Sequence, residues 1–424
     1  MRLTSSRLSL ALALPLLATA CADETQDEGL ADDEVGSETA TDTGEGDSTD
    51  TSDTTGGEPD RDALIAELSE LGPYAVGYKE LELTYFPPGA TEERLIDVLV
   101  WYPAAADSGA PLVTYAVAGI VQLPSDVALD NPPVSDAGPF PVAVYSHGSG
   151  GEGLVGYPYG ERFASHGWIV FAPGHAGNTA VDSLGGTPDP FVIVAVNRPK
   201  DISAILDEAA GGFAGDPVAQ ATDLASVFMF GHSFGGYTSL AIGGATLDYA
   251  IAQSACVGVE CDFLADPEVM AAFEQGFGDP RVDAIAPQAP ALISSFVEGD
   301  LAALPVPTML QSGKLDKTTP DATEAEPAWA MLNDPDDVWI NLPFGAHYSF
   351  ITVCDDLDPE LLALFQPDNV EDGCGPEFTP TAEIVPVLAT YLLAYAKLNV
   401  LAEPQWEAVL EGETLHPELD LYRH

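Results

Sequence analysis

The stretch VFMFGHSFGGYTSL, Val227–Leu240, decides how the rest of the chain is read. It follows Ala225-Ser226 as a short apolar run to Phe230 with no polar alternation, the pattern of a strand covered on both faces. From Gly235 to Gly243 it continues as a helix rich in small residues. Between the two stands Gly231-His232-Ser233-Phe234-Gly235-Gly236. A serine in a tight strand-to-helix turn holds its hydroxyl out at the end of a sheet, and Gly231 and Gly235 keep side chains from striking the neighbouring strand and helix.

The same grammar recurs on either side. FPVAVYSHG (Phe140–Gly148) and WIVFAPGH (Trp168–His175) are short apolar runs that stop at glycine. Further strands are expected over Arg281–Pro290, Val306–Gly313 and Asp337–Pro343. Helices are expected over Tyr159–Ser165, over RPKDISAILDEAA with Pro199 and Asp201 at its start, and over Ala382–Leu398. Tyr78–Tyr85 and Ile96–Pro103 alternate, as an antiparallel pair at a sheet edge does. Strands and helices in this order define an α/β chain with a mostly parallel central sheet flanked by helices, in one domain over residues 66–424. Residues 240–280 are less regular and fit either a lid over the site or a decorated crossover.

Ligands of such a sheet bind beyond the carboxyl ends of its strands. There the chain carries Ser233, then Asp316 in SGKLD, then His347 in FGAHYSF. A serine hydroxyl becomes a useful nucleophile once a base takes its proton, and the imidazole needs an acid to hold its tautomer. SHGSGGEG, Ser146–Gly153, ends another strand and can aim the N–H of Ser149 opposite that of Phe234, the pair an oxyanion requires. His147, His175 and His232 are expected to brace these turns. Phe234, Tyr157, Tyr159 and Phe344 suggest an apolar or aromatic-lined acyl pocket. No histidine or carboxylate pair stands at a ligand spacing, so neither a metal nor another cofactor is expected.

These residues also carry a likeness. Through GPYAVGYKELELTY, VLVWYPA, YSHGSGG, GHAGNTA, NRPKDISAILDEA, GHSFGG, GKLD and GAHYSF, the chain resembles the α/β-hydrolase superfamily. Within it, the likeness is to the bacterial predicted dienelactone hydrolases, close to the platelet-activating-factor acetylhydrolase group and more distantly to cutinases. The resemblance implies Ser233 as nucleophile, Asp316 and His347 as its partners, and Ser149 with Phe234 as the oxyanion hole. Its activity would be that of a serine esterase on small-molecule or polymeric esters, with a cutinase-like polyesterase or lipase as an extension. Two departures stand out: Ala176 replaces a proline in the turn after His175, and dienelactone hydrolases proper use cysteine where this chain has Ser233. A serine peptidase or amidase on the same triad, and a non-catalytic binding protein on the same scaffold, are the competing readings.

The 424 residues include 68 acidic and 13 basic ones, a formal net charge of −55. So few cations cannot supply the footprint a nucleic acid needs. The charge also disfavours docking on anionic lipid, favours a monomer, and suits a salty habitat that would screen its self-repulsion. Residues 1–21 have arginines, an apolar run and then Ala-Thr-Ala-Cys, the build of an export signal. Cys21 fits a lipoprotein's lipidated N-terminus, which would put the chain on the outer membrane or cell surface; plain secretion is the alternative. Residues 22–65 read as an acidic, disordered linker, with no basic residue before Arg61. The remaining cysteines form an even set in an exported chain. Three pairings are possible, and Cys256–Cys261 with Cys354–Cys374 closes the shortest loops.

Overall fold

The computed structural model describes residues 60–297, 299–365 and 371–424. The stretch expected to be an export signal, Cys21, and the expected linker as far as residue 59 lie outside them. The linker was expected to run to residue 65, but a helix already begins at Arg61 and runs to Ser69, with Asp60 as its N-cap. Arg61 holds it to the body, donating to the carbonyls of Ala408 and Glu411 at 2.9 Å each. The acidic surroundings hid this start, because the helix owes its position to a contact with the far end of the chain.

The strands are β1 (Ala75–Tyr85), β2 (Arg94–Ala104), β3 (Leu112–Val117), β4 (Val121–Asp130), β5 (Phe140–Ser146), β6 (Ile169–Gly174), β7 (Thr222–His232), β8 (Val282–Gln288), β9 (Met309–Gly313), β10 (Val338–Leu342) and β11 (Asp420–Arg423). They form one sheet in the order β11-β10-β9-β8-β7-β5-β6-β2-β1-β4-β3. From β6 to β10 every neighbouring pair is parallel. β2 pairs antiparallel with β6 and with β1, and β11 closes the other edge antiparallel to β10. This is the mostly parallel α/β sheet expected.

Alternation along the central strands fills both faces. Val142, Val144, Val227 and Met229 pack with residues of the helices Phe191–Gly211 and Phe234–Gly243. Ala143, Tyr145, Phe228 and Phe230 pack on the other face with residues of the helices Tyr157–Ser165 and Thr381–Asn399. Each large side chain so buried contributes about 1.5–3 kcal/mol. The apolar runs lack a polar beat because neither face meets water.

Two expectations need correction. The β1–β2 pair is not at the edge, since β4 pairs with β1 and β3 lies outside β4. Pro124 and Asp126 within β4 mask its strand character, and the hairpin docks through polar side chains: Tyr115 and Ser125 donate to Glu161 at 2.8 and 2.6 Å. The helix expected to start at Pro199 begins at Phe191, with Pro199 inside it. A proline there leaves the carbonyl four residues earlier without its helical donor. That carbonyl, Ala195, accepts the Tyr237 hydroxyl at 3.1 Å instead.

Candidate active site

β7 ends at His232, and Ser233 takes φ 58°, ψ −115° before the helix Phe234–Gly243 starts. This is a sparsely populated conformation for a residue with a side chain, and such strain persists only where packing over-determines it. The packing is visible at the two glycines. A Cβ on Gly235 would stand 1.8 Å from the Ser146 carbonyl oxygen, and one on Gly231 would stand 2.6 Å from the same atom. The turn is therefore pressed against the end of β5, and Ser233 has nowhere to direct its hydroxyl but outward.

Asp316 and His347, from the turns after β9 and β10, meet it there. His347 Nε2 lies 3.0 Å from Ser233 Oγ, and His347 Nδ1 lies 2.9 Å from Asp316 Oδ2. With Nδ1–H donating to the carboxylate, Nε2 is left as the acceptor for the serine proton. Asp316 also accepts the N–H groups of Thr318 and Thr319 at 2.8 and 2.7 Å and the Thr319 hydroxyl at 2.7 Å. Burial works against this carboxylate, but the hydrogen bond and charge of His347, helped by Thr319, outweigh it and hold the group below the usual range. Thr319 was legible only as a neighbour of Asp316; its part in holding the acid follows from the turn.

The glycine loop after β5 is fixed peptide by peptide. The Arg198 guanidinium donates to the His147 carbonyl. His147 Nδ1–H donates to the next carbonyl, Gly148, at 2.7 Å, and Gly151 N–H adds 3.1 Å. Because a trans peptide holds its C=O and N–H on opposite sides, tying back the Gly148 oxygen turns the Ser149 N–H the other way. Ser149 lines the cavity that contains Ser233, and its hydroxyl accepts from Asn178 Nδ2 at 3.0 Å. Phe234 N–H is the first of its helix, one of those a helix leaves without an internal partner. His147 is neutral: burial, then the Arg198 charge, pushes its pKa well down. Its Nε2 accepts the His175 N–H at 3.2 Å, which fixes the tautomer that donates to Gly148.

Behind this loop lies a second line of the same residue types. His175 Nε2 is 2.9 Å from Ser146 Oγ, and its Nδ1 is 2.8 Å from Asp201 Oδ2. All three side chains are fully buried, at 0% exposure, so no substrate reaches them and the line serves as a brace. Arg94 grips Asp201 with two bonds of 2.7 and 3.0 Å, and Tyr85 adds one of 2.6 Å. In the sequence Arg198 and Asn178 stood only within the motifs NRPKDISAILDEA and GHAGNTA, and Asp201 only as a helix start, because their role depends on a helix crossing beneath the loop. His232, the remaining bracing histidine, donates Nε2–H to the His347 carbonyl at 2.7 Å; burial, then His347, lowers its pKa to about 3.

The cavity over Ser233 has a volume of about 140 Å³. Its apolar wall is Val117, Val155, Ile351, Val353, Leu357 and Leu362, with Tyr348 beside them. The lining is apolar, one of the two kinds expected, but Phe234, Tyr157, Tyr159 and Phe344 do not supply it. The Tyr159 hydroxyl donates to the Phe350 carbonyl inside the core, Tyr157 donates to Asp356, and Phe344 lines a separate cavity beside Cys374. The Phe234 ring turns toward Tyr237 and Arg198. Each is near the site in sequence, but side-chain direction, set by the element that carries it, points it elsewhere.

The roof of the cavity comes from the segment after His347. No residue of 240–280 lines it; that segment forms three short helices, and Glu260 fastens it to the helix Phe191–Gly211 by accepting Val192 N–H at 3.0 Å. Both short-loop disulfides, Cys256–Cys261 and Cys354–Cys374, are formed. Among the described residues, no group of three histidine, cysteine or carboxylate side chains is placed to hold a metal ion.

This architecture, with a strained serine at its central strand-to-helix turn, is the α/β-hydrolase fold. Residues 109–185 match the family model of platelet-activating factor acetylhydrolase, isoform II, a stretch that holds the glycine loop after β5 but none of Ser233, Asp316 and His347. Among solved structures the chain is similar to a ferulic acid esterase from Streptomyces cinnamoneus, at 21% identity and TM-score 0.56, over 82% of this chain and 97% of that one. No curated protein matches. The family match supports a carboxylic ester hydrolase, and the structural likeness supports the fold.

Proposed function

We propose that the chain hydrolyses carboxylic esters through an acyl-enzyme formed on Ser233. The observation that carries this reading is the hydrogen-bonded line Asp316–His347–Ser233, at 2.9 and 3.0 Å, opening onto an apolar cavity. Ser233 Oγ attacks the ester carbonyl while its proton passes to His347 Nε2. Asp316 holds the ring and stabilises the imidazolium. The carbonyl oxygen, now negative, sits between the N–H groups of Ser149 and Phe234; each such donor lowers the barrier by about 3–4 kcal/mol. Collapse expels the alcohol, which takes the proton from His347. Water then attacks the acyl-enzyme with His347 again as base, releasing the acid and restoring Ser233.

The cavity suits a small acyl group. At about 140 Å³ it is close to a site that holds one benzene ring, roughly 150 Å³. Short aliphatic or single-ring acyl esters fit it; a long lipid chain would have to lie partly outside. The family's printed name, an acetylhydrolase, and the neighbour's, a ferulic acid esterase, are consistent with acyl groups of these two kinds. In the cell, the chain is read as exported and tethered through Cys21 by its acidic N-terminal stretch.

A panel of p-nitrophenyl esters from acetate to palmitate tests the reading. Turnover should peak at short acyl chains and vanish in Ser233→Ala, while a fluorophosphonate labels wild type at Ser233. Full activity in the S233A protein would end the proposal. Mass spectrometry of the mature N-terminus decides between a lipidated Cys21 and a secreted chain.

A further inference from the structure

Asp372 touches the turns that carry both the acid and the base. Its carboxylate takes three donors from one turn: Lys317 N–H at 3.1 Å to each oxygen, Thr318 N–H at 2.9 Å and the Thr318 hydroxyl at 2.7 Å. Its own carbonyl accepts Tyr348 N–H at 2.9 Å. Lys317 follows Asp316 and Tyr348 follows His347, so one residue grips the backbone beside each of the two groups whose separation the mechanism needs. Asp372 is only 4% exposed, and successive backbone N–H groups converging on a carboxylate make a strong, directional cradle.

The next two residues anchor it. Gly373 has φ +121°, and a Cβ there would stand 2.8 Å from Tyr348 N, so the chain can pass this close only as glycine. Cys374 is bonded to Cys354 in the helix Val353–Asp356, just beyond the His347 turn. The covalent bridge and the carboxylate cradle thus hold the same few residues against the triad from two sides.

We propose that Asp372 is a positioning residue that sets the Asp316–His347 geometry, and that the Cys354–Cys374 bridge keeps it in place. The inference rests on the catalytic reading of Ser233, Asp316 and His347. Asp372 touches neither substrate nor reacting atoms; it acts through the two turns. Without it, the acid's turn loses its hold on the segment beside the base, and the imidazole is free to drift from the line joining serine and acid.

The experiment compares Asp372→Ala, Asp372→Asn and the double variant Cys354→Ala/Cys374→Ala with wild type, using p-nitrophenyl acetate kinetics and a fluorophosphonate probe. In D372A, kcat should fall about 10–100-fold, the scale of a small misplacement of catalytic groups. KM should stay within about twofold, since the residues lining the cavity are unchanged. The probe should label Ser233 more slowly but to the same final extent. D372N keeps an oxygen for Thr318 N–H and should recover most of the loss, and the bridge variant should shift kcat in the same direction as D372A.

Wild-type kcat and labelling rate in D372A would overturn the proposal. So would a loss that D372N does not recover and that tracks a fall in final labelling, which marks unfolded protein alone. Should D372A fail to accumulate, the bridge variant carries the test, and wild-type kcat and labelling rate in it overturn the proposal. Turnover in S233A would strike the proposed function itself, whereas inactive S233A beside fully active D372A strikes this inference alone.

Discussion

The carbonyl oxygen of Ser146 lies 1.8 Å from where a Cβ on Gly235 would stand. The end of β5 and the start of the helix Phe234–Gly243 are therefore in backbone contact, and this contact forces Ser233 outward. Gly235→Ala must part the two elements, an overpacking that costs about 1–3 kcal/mol or more. The expected result is a lower urea midpoint and a turnover loss of about 100-fold or greater. Wild-type turnover in G235A would contradict this account of the turn.

His147 should matter through the hydrogen bond it gives Gly148. His147→Leu leaves the Gly148 carbonyl held by Gly151 N–H alone, so that the peptide turns and swings the Ser149 N–H off the developing oxyanion. We expect kcat to fall about 10–100-fold with KM little changed. His147→Asn keeps an N–H donor near the Nδ1 position and should retain most activity. Inhibition by a trifluoromethyl ketone, which binds as a tetrahedral oxyanion, should weaken in step with kcat in the Leu variant. Undiminished inhibition would remove the oxyanion link.

Tyr237 and Pro199 are predicted to be coupled. Tyr237→Phe leaves the Ala195 carbonyl without its donor and should cost about 1 kcal/mol in urea unfolding. In a Pro199→Ala background the helix supplies an N–H to that carbonyl, so the cost of Y237F should shrink. Equal costs in the two backgrounds, measured as a double-mutant cycle, would show that the hydroxyl does not stand in for the missing amide.

Stability should decline between mildly acidic and neutral pH. Burial, with the Asp316 charge added, raises Glu324 from 4.5 to about 7, and burial raises Asp337 from 3.8 to about 6. A carboxyl with a higher folded than unfolded pKa binds more protons when folded. Its stabilising share is complete below the unfolded value and is lost as pH rises through the folded one. For Glu324 that window is 4.5 to about 7, and each tenfold gain in proton affinity on folding is worth about 1.4 kcal/mol. Glu324→Gln keeps an acceptor for Ile293 N–H and removes the titration. Its melting temperature relative to wild type should be higher at pH 8 than at pH 5, and an unchanged difference would exclude Glu324 as a source of the slope.

Leu357 should set acyl length. It is buried on the cavity wall beside Leu362, and Leu357→Ala lengthens the space available to the substrate. The preferred p-nitrophenyl ester should move to a longer chain, with kcat/KM for the longer ester gaining about tenfold over acetate, the worth of one or two buried methylenes. An unchanged chain-length profile would move the acyl group to another part of the site.

Much of the site was legible because its parts are local. The glycines about Ser233, the apolar run before it, and the acid and histidine after later strands each follow from short-range rules: φ above zero, burial on both faces, a turn at a strand's end. Thr319 stood in plain view, but a threonine beside an aspartate signals nothing until the turn brings its hydroxyl to Oδ2. The four aromatic residues expected to line the pocket mark the opposite case, in which nearness in sequence misleads because neighbours in a chain point to different sides of a sheet or helix.

By itself the sequence determined the class of fold and the identity and order of Ser233, Asp316 and His347, and it favoured the short-loop disulfide pairing among three, since periodicity, turn chemistry and loop closure act over a few residues at a time. Only the tertiary structure decided that aliphatic side chains from beyond His347 roof the cavity, that Arg198 and Asp201 reach beneath the glycine loop, and that Asp372 joins two turns far apart in the chain. Those contacts are made between elements, and their partners are chosen by how helices cross the sheet, which no short stretch of residues encodes.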